Sequence, residues 1–237
     1  MANAIADMSL RKAALIAGLG YLIVFVIGVP ATLWEGLVVQ GDVAATASNF
    51  IANDLLLRIS IVSWLVVLVA DVVVAWALYI FLKPVNKSLS LLAAWFRLVF
   101  VAIFGVSLLN LFMVLQLSSG SDYLSVFGVG QLQAHMMLFL GAFDYGVEIS
   151  WVFFGLHIFI IGYLIFKSRY IPRIFGILLI VASIGYQINS FANILLPNVA
   201  NYETTLFIVT VAVPAIISEL LLTLWLLLRG RKIPELK

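Results

Sequence analysis

Residues 55–117 read LLLRISIVSWLVVLVADVVVAWALYIFL-KPVNKS-LSLLAAWFRLVFVAIFGVSLLNLFMVLQL, with hyphens setting off a short basic segment. The apolar stretches on either side, 55–82 and 89–117, each exceed the ~20 residues that a helix needs to cross the hydrocarbon core of a bilayer. The segment KPVNKS at 83–88 is long enough only for a tight turn. The sequence therefore predicts two adjacent membrane-spanning helices that run in opposite directions.

Further apolar stretches of spanning length lie on both sides of this pair. They are residues 13–37, 143–166, 174–196 and 205–228. Of the 237 residues, 65% are hydrophobic and only 10% are charged, which is more apolar surface than a water-soluble domain of this size can bury. We predict an all-α polytopic membrane protein, with residues 1–237 forming one bundle of six transmembrane helices.

The basic residues sort to one side of this topology. Eleven of the 13 Lys and Arg residues belong to that side: Arg11, Lys12, Lys83, Lys87, Lys167, Arg169, Arg173, Arg229, Arg231, Lys232 and Lys237. The loops of the other side carry Asp42, Asp54, Asp122 and Glu203 instead. By the positive-inside rule, both termini are cytoplasmic in a bacterial cell membrane. A net charge of +2 predicts no nucleic-acid partner, and a chain without Cys forms neither disulfides nor thiolate metal sites.

Two short segments are predicted to lie on the outer membrane surface. Asp42 is a suitable N-cap for a small-residue helix over residues 43–51. Gln131 to Leu140 is predicted to do likewise, because one straight helix from Gln131 to Lys167 would be ~55 Å long and exceed the membrane. We expect a bend near Gly141 or Gly146.

A family resemblance runs over nearly the whole length of the chain. The residues that carry it are Arg11 to Gly18 (RKAALIAG), Gly41-Asp42, Leu82 to Asn86 (LKPVN), Phe153 to His157 (FFGLH), Pro172-Arg173 and Asn189 to Asn193 (NSFAN). The chain resembles a family of bacterial multi-span integral membrane proteins known only as a domain of unknown function, number 4386. The resemblance supports the topology and implies no activity.

Ionisable residues within the spans indicate where a polar site lies. Asp71, Arg97, His157 and Glu219 are each 10 to 12 residues from a basic residue at the predicted cytoplasmic end of their span, which puts all four ~15–18 Å from the inner rim. Tyr21 and Tyr186 extend the layer. Since a buried charge must face a partner or a cavity, we predict a polar ring with Asp71 and Arg97 as its ion pair. Its charge balance requires either a protonated His157 or a carboxyl group that keeps its proton.

A second polar tier is predicted nearer the outer boundary. Asp144 and Glu148 share one helix face, and Arg58 is a candidate partner for one of these carboxylates or for Glu35. A polar stripe on the fifth span includes Ser183, Tyr186, Ser190 and Asn193, with Asn189 nearby. Together these residues are expected to line a water-filled vestibule that opens outward.

No motif in the sequence specifies a reaction or a substrate. We expect a non-enzymatic membrane protein that binds or translocates a small amphiphile or polar solute in a central, outward-opening pocket. Two alternatives stay open: an intramembrane enzyme acting on a lipid or lipid-linked substrate, with Asp144, Glu148 and His157 as acid/base groups, and a structural bundle or accessory subunit whose buried charges only hold helices together. We expect no metal and no cofactor, membrane lipids as partners, and leave a homo-oligomer open.

Overall fold

The computed structural model describes residues 8–195 and 213–230. These residues form α-helices and short 3-10 helices and contain no strand. The α-helices are α1 (Leu10–Ala31), α2 (Val43–Ala52), α3 (Asp54–Leu82), α4 (Lys87–Leu117), α5 (Val129–Lys167), α6 (Arg173–Leu195) and α7 (Val213–Leu228). Two 3-10 helices, Leu33–Leu37 and Asp122–Val126, follow α1 and α4.

Five helical segments are long and apolar enough to cross a membrane: Leu10–Leu37, Asp54–Leu82, Lys87–Leu117, Val129–Lys167 and Arg173–Leu195. This all-helical architecture fits a polytopic membrane protein, as the sequence predicts. For the sixth predicted span, the structure describes α7 alone, which has 16 residues. Residues 205–212 of that span, the preceding loop at 197–203 and the basic residues after 230 lie outside the described residues.

The fourth predicted span is part of a longer helix. α5 runs without a break for 39 residues from Val129. Gln131 to Leu140 is therefore the first part of α5, and its position on the outer membrane surface stays a prediction. The segment continues into the apolar part of α5 because residues 141–146 provide no helix-terminating Pro or capping turn. The expected bend near Gly141 or Gly146 stays a prediction.

Polar side chains begin two of the helices. The Asp42 carboxylate accepts a hydrogen bond from the Ala45 backbone N–H at 2.8 Å and so caps α2, which confirms the predicted small-residue helix. The preceding residue, Gly41, has a φ of +76°, a conformation that favours glycine. At the α3–α4 turn, the Asn86 side chain accepts from the Leu89 N–H at 3.0 Å. This cap and Pro84 account for the tight turn predicted between the two helices.

The described residues divide into two compact units. Unit 1 consists of the described parts of Met1–Leu22, Ala70–Phe100 and Trp151–Lys237, and unit 2 of Ile23–Val69 and Val101–Ser150. Unit 1 contains α6, α7 and segments of α1, α3, α4 and α5. Unit 2 contains α2, both 3-10 helices and the remaining segments of those four helices.

Glycines allow close helix packing within unit 1. A Cβ at Gly162 of α5 would lie 2.8 Å from the Gly176 carbonyl oxygen of α6, and a Cβ at Gly176 would lie 2.5 Å from the Gly162 carbonyl oxygen. The two backbones are therefore in direct contact, which is the usual role of small residues between membrane helices. Gly155, about two turns earlier on α5, leaves room for the Gln187 amide, which donates to the Val152 carbonyl oxygen at 2.7 Å.

Aromatic side chains fill the interior of unit 2. The rings of Trp34 and Phe143 meet edge to face with centroids 5.3 Å apart, and Phe143 makes a similar contact with Phe104 at 5.9 Å. Phe104 also packs against Trp64 at 4.5 Å. These rings join the 3-10 helix after α1 and segments of α3, α4 and α5 through apolar contact.

Candidate functional site

Arg97 of α4 is the centre of a buried polar cluster in unit 1. Its side chain is 1% exposed. Nε donates to Asp71 Oδ1 of α3 at 3.1 Å, and Nη2 donates to the same oxygen. The two residues face each other because the tight turn at the end of α3 brings α4 back alongside it. The structure thus contains the ion pair that the spacing of Asp71 and Arg97 indicates.

The remaining Arg97 nitrogen connects two more helices. Nη1 donates to the Tyr21 hydroxyl of α1 at 3.1 Å and to His157 Nε2 of α5 at 3.0 Å. His157 Nδ1 is 2.8 Å from the Ala93 carbonyl oxygen. Because a carbonyl oxygen can only accept, Nδ1 carries the proton, and Nε2 accepts from Arg97. The hydrogen bonds therefore assign a neutral His157, which excludes one of the two charge balances considered from the sequence.

Aromatic rings surround the guanidinium. Arg97 Cζ lies 5.0 Å from the centroid of the Tyr21 ring and 5.4 Å from that of Phe154. Both distances are within cation–π range. Phe154 in turn meets Tyr186 of α6 edge to face at 5.4 Å, and Tyr186 stacks on Trp151 at 5.3 Å and 15°. Cation, carboxylate and rings form one cluster, which we call the Arg97 cluster.

Sequence reasoning missed Trp151, Phe154 and the Ala93 carbonyl group. Trp151, Phe154 and His157 recur every three residues and so lie along one side of α5. This spacing is visible in the sequence. The Ala93 carbonyl group has no sequence signal. Its hydrogen bond with His157 Nδ1 forms because the packing of α4 against α5 brings the two groups within 2.8 Å.

Glu219 of α7 lies beside this cluster but outside its hydrogen bonds. It is 9% exposed, whereas Asp71 is 3% exposed and His157 is fully buried. The Glu219 carboxylate interacts electrostatically with Arg97 and Asp71 and with the hydroxyl groups of Tyr21 and Tyr186. Within residues 8–195 and 213–230, no donor reaches it within hydrogen-bond distance. The predicted ring thus has three bonded ionisable members and a fourth that is buried without a bonded partner among the described residues.

The predicted outer tier is arranged differently from the expectation. Arg58 pairs with Asp54, one turn earlier on α3, with Nε 3.2 Å from Oδ2 and both side chains more than half exposed. Its predicted pairing with Asp144, Glu148 or Glu35 is wrong, because Asp54 is the carboxylate on its own helix face. Asp144 is exposed and Glu148 half-buried, both within unit 2.

The α6 stripe faces inward in unit 1. Ser183 and Ser190 are buried, and Tyr186, Asn189 and Asn193 are half-buried. The Ser183 hydroxyl donates to the Ile180 carbonyl oxygen at 2.7 Å. The buried Ser190 hydroxyl makes no such bond to a described residue. The stripe therefore continues polar surface from Tyr186 towards the end of α6 that is remote from Arg173.

No group of three or more potential metal ligands occurs among the described residues. His135 is exposed, and its Nδ1 lies 2.7 Å from the Gln131 carbonyl oxygen of the same helix. Chemically, the Arg97 cluster combines a neutralised ion pair, a neutral imidazole and aromatic faces. Glu219 adds one carboxylate beside it. Such a set can hold a proton or bind a cationic or neutral polar group.

Comparison with known proteins identifies the family. A family model described as Domain of unknown function (DUF4386) matches residues 16–230, a range that includes every member of the Arg97 cluster. An uncharacterized protein of Archaeoglobus fulgidus is 30% identical over 176 residues, which are 74% of this chain and 86% of the relative. No solved structure matches. The resemblance read from the sequence is confirmed, and the chain belongs to the DUF4386 family.

Proposed function

We propose that this protein binds a small polar or amphiphilic solute at the Arg97 cluster, as a carrier, sensor or accessory subunit. One observation carries the proposal: Glu219 is buried beside the cluster, yet no described residue donates a hydrogen bond to it. A buried polar group without a partner costs ~1–3 kcal/mol, and more when it is charged. A purely structural network satisfies all its members, whereas a binding site keeps one group for the ligand.

The same proposal includes the membrane setting. We propose six spans, with both termini in the cytoplasm of a bacterial cell. The support is the separation of basic from acidic loops and the apolar stretch 205–228, of which α7 is the second part. The cysteine-free chain suits single-cysteine labelling. In intact cells, an impermeant maleimide is expected to label Ser119→Cys in the loop after α4 and to spare Asn86→Cys before α4. The reverse pattern would invert the topology.

An outward opening is part of the proposal as well. Its support is the α6 stripe, where the side chains of Tyr186, Ser190 and Asn193 continue from the Arg97 cluster along one side of the helix. In the proposed topology, α6 starts at the cytoplasmic basic residue Arg173, so this stripe leads towards the outer surface.

The intramembrane enzyme has less support. That alternative needs His157 as an acid/base group, but both ring nitrogens of His157 are hydrogen-bonded and the side chain is fully buried. A proton-transferring histidine needs one nitrogen within reach of the substrate. The structural bundle is the competing interpretation that the binding experiment addresses.

The test is a binding assay with three hexyl amphiphiles that differ only in head group. Hexyltrimethylammonium is the cation, hexyl glucoside the neutral probe and hexanesulfonate the anion. The protein is reconstituted in nanodiscs of zwitterionic lipid, and empty nanodiscs provide the partition control. Saturable binding of at least one probe, reduced in Tyr186→Leu, is expected. If none of the three binds saturably, the proposed function is wrong and the structural bundle is favoured.

A further inference from the structure

The charges of the Arg97 cluster do not balance. Asp71 and Arg97 form a neutral ion pair, and the hydrogen bonds of His157 assign it as neutral. An ionised Glu219 therefore leaves one uncompensated negative charge. An unpaired charge is expensive within a membrane, so it must recruit a counter-ion or a proton.

Anionic ligands are disfavoured at the same place. Four of the five Arg97 N–H groups are engaged, by Asp71, Tyr21 and His157, and the side chain is 1% exposed. An incoming sulfonate, phosphate or carboxylate would thus meet the carboxylate of Glu219 and an arginine that is already neutralised. When it is ionised, Glu219 is the hydrogen-bond acceptor with negative charge that is available to a ligand.

Aromatic side chains of unit 1 within electrostatic range of Glu219 favour an organic cation. The Tyr186 hydroxyl interacts electrostatically with Glu219, and the Tyr186 ring stacks on Trp151 and contacts Phe154. The Tyr21 hydroxyl, which accepts a hydrogen bond from Arg97, is within electrostatic range of Glu219 as well. A carboxylate together with tyrosine and tryptophan rings is the chemistry that binds alkylated ammonium groups in proteins.

We infer that the ligand of this site is an organic monocation with an apolar tail, whose ammonium group lies between Glu219 and Tyr186. This inference rests on the proposed function and specifies its ligand class. The ammonium compensates the charge of an ionised Glu219, because Arg97 is already neutralised by Asp71. The tail remains among the apolar side chains of the spans.

The three hexyl probes test the ligand class directly. Wild-type protein is expected to bind hexyltrimethylammonium at least about 30-fold more tightly than the glucoside or the sulfonate. Glu219→Gln, which keeps the shape of the side chain, is expected to weaken binding of the cation by a similar factor. Asp122→Asn removes an exposed carboxylate of unit 2 and should leave the affinity unchanged. Glu219→Asp retains the charge and is expected to retain the preference for the cation.

The outcomes separate the inference from the proposal on which it rests. Saturable binding in which the neutral or anionic probe equals or exceeds the cation would overturn the monocation and leave the binding function intact. An unchanged cation affinity in Glu219→Gln would also overturn it. Failure of all three probes would reject the binding function itself. The charge preference of the wild-type protein is measured without any variant. It therefore tests whether the ligand is a cation even if Glu219→Gln does not fold.

Discussion

Replacing Asp71 with asparagine removes the negative charge that compensates a buried arginine. Asp71 Oδ1 accepts from Nε and Nη2 of Arg97, and both side chains are almost fully buried. Removing one partner of a buried ion pair costs ~3–5 kcal/mol. We expect the lower end, about 3 kcal/mol, because asparagine still accepts a hydrogen bond and Glu219 remains within electrostatic range of Arg97.

The measurement is the free energy of unfolding in mixed micelles titrated with SDS, followed by the fluorescence of the 6 tryptophans. Asp54→Asn is the matched control, because Asp54 pairs with Arg58 on the same helix but both side chains are more than half exposed. An exposed pair at this spacing and a first-turn carboxylate together contribute less than about 1 kcal/mol. Equal destabilisation by the two substitutions would refute the structural role assigned to the buried pair.

The double variant Asp71→Asn/Glu219→Gln reports on the charge of Glu219. If Glu219 is ionised, its charge partly compensates Arg97 once Asp71 is neutral, and removing it as well should cost at least about 1 kcal/mol beyond the sum of the single effects. Additivity within about 0.5 kcal/mol would mean that Glu219 carries a proton in the wild-type protein. The same SDS titration measures all three variants.

Two further substitutions test packing and a loop contact. Gly162→Leu is expected to destabilise the protein by ~1–3 kcal/mol, because the leucine side chain would meet the Gly176 backbone. Gly141→Leu is the control in the same titration, and it should cost less because a Cβ at Gly141 meets nothing within 4 Å. Tyr170→Phe removes the 2.7 Å hydrogen bond to the Phe81 carbonyl oxygen and should cost ~1 kcal/mol at pH 7. Burial raises the pKa of the Tyr170 hydroxyl. The stability that its hydrogen bond contributes should therefore persist below the pKa of an exposed tyrosine, ~10, and disappear only at higher pH. Loss of the difference between wild-type protein and Tyr170→Phe already at pH 8 would contradict this prediction.

The long apolar helices could be predicted from the sequence, because a span must be long and apolar to cross a bilayer. The sequence by itself also determined which polar residues share a level. In a helix each residue rises by a fixed ~1.5 Å, so counting from the basic ends places Asp71, Arg97 and His157 at one depth before any contact is known. The turn between α3 and α4 identified the ion pair, because it makes the two helices neighbours. These inferences use only length, charge and connectivity.

Other features depend on how each helix is rotated about its axis. A helix that is apolar on all sides has no polar face to report its rotation, so the sequence could not say whether Glu219 would join the hydrogen bonds. The Asp54 partner of Arg58 was missed for a simpler reason, because the sequence offers several carboxylates as partners for Arg58. Arg58 and Asp54 lie one turn apart on α3, a spacing at which an ion pair can form without any distant carboxylate.

The tertiary structure alone decided the chemistry of the polar layer. It placed the Ala93 carbonyl group against His157 and thereby fixed a neutral imidazole. It directed all but one of the Arg97 N–H groups to three other helices, and it left Glu219 next to them without a hydrogen-bond donor from a described residue. The sequence gives the depth of a side chain along its helix, whereas the direction of the side chain and its neighbours arise only when the helices pack together.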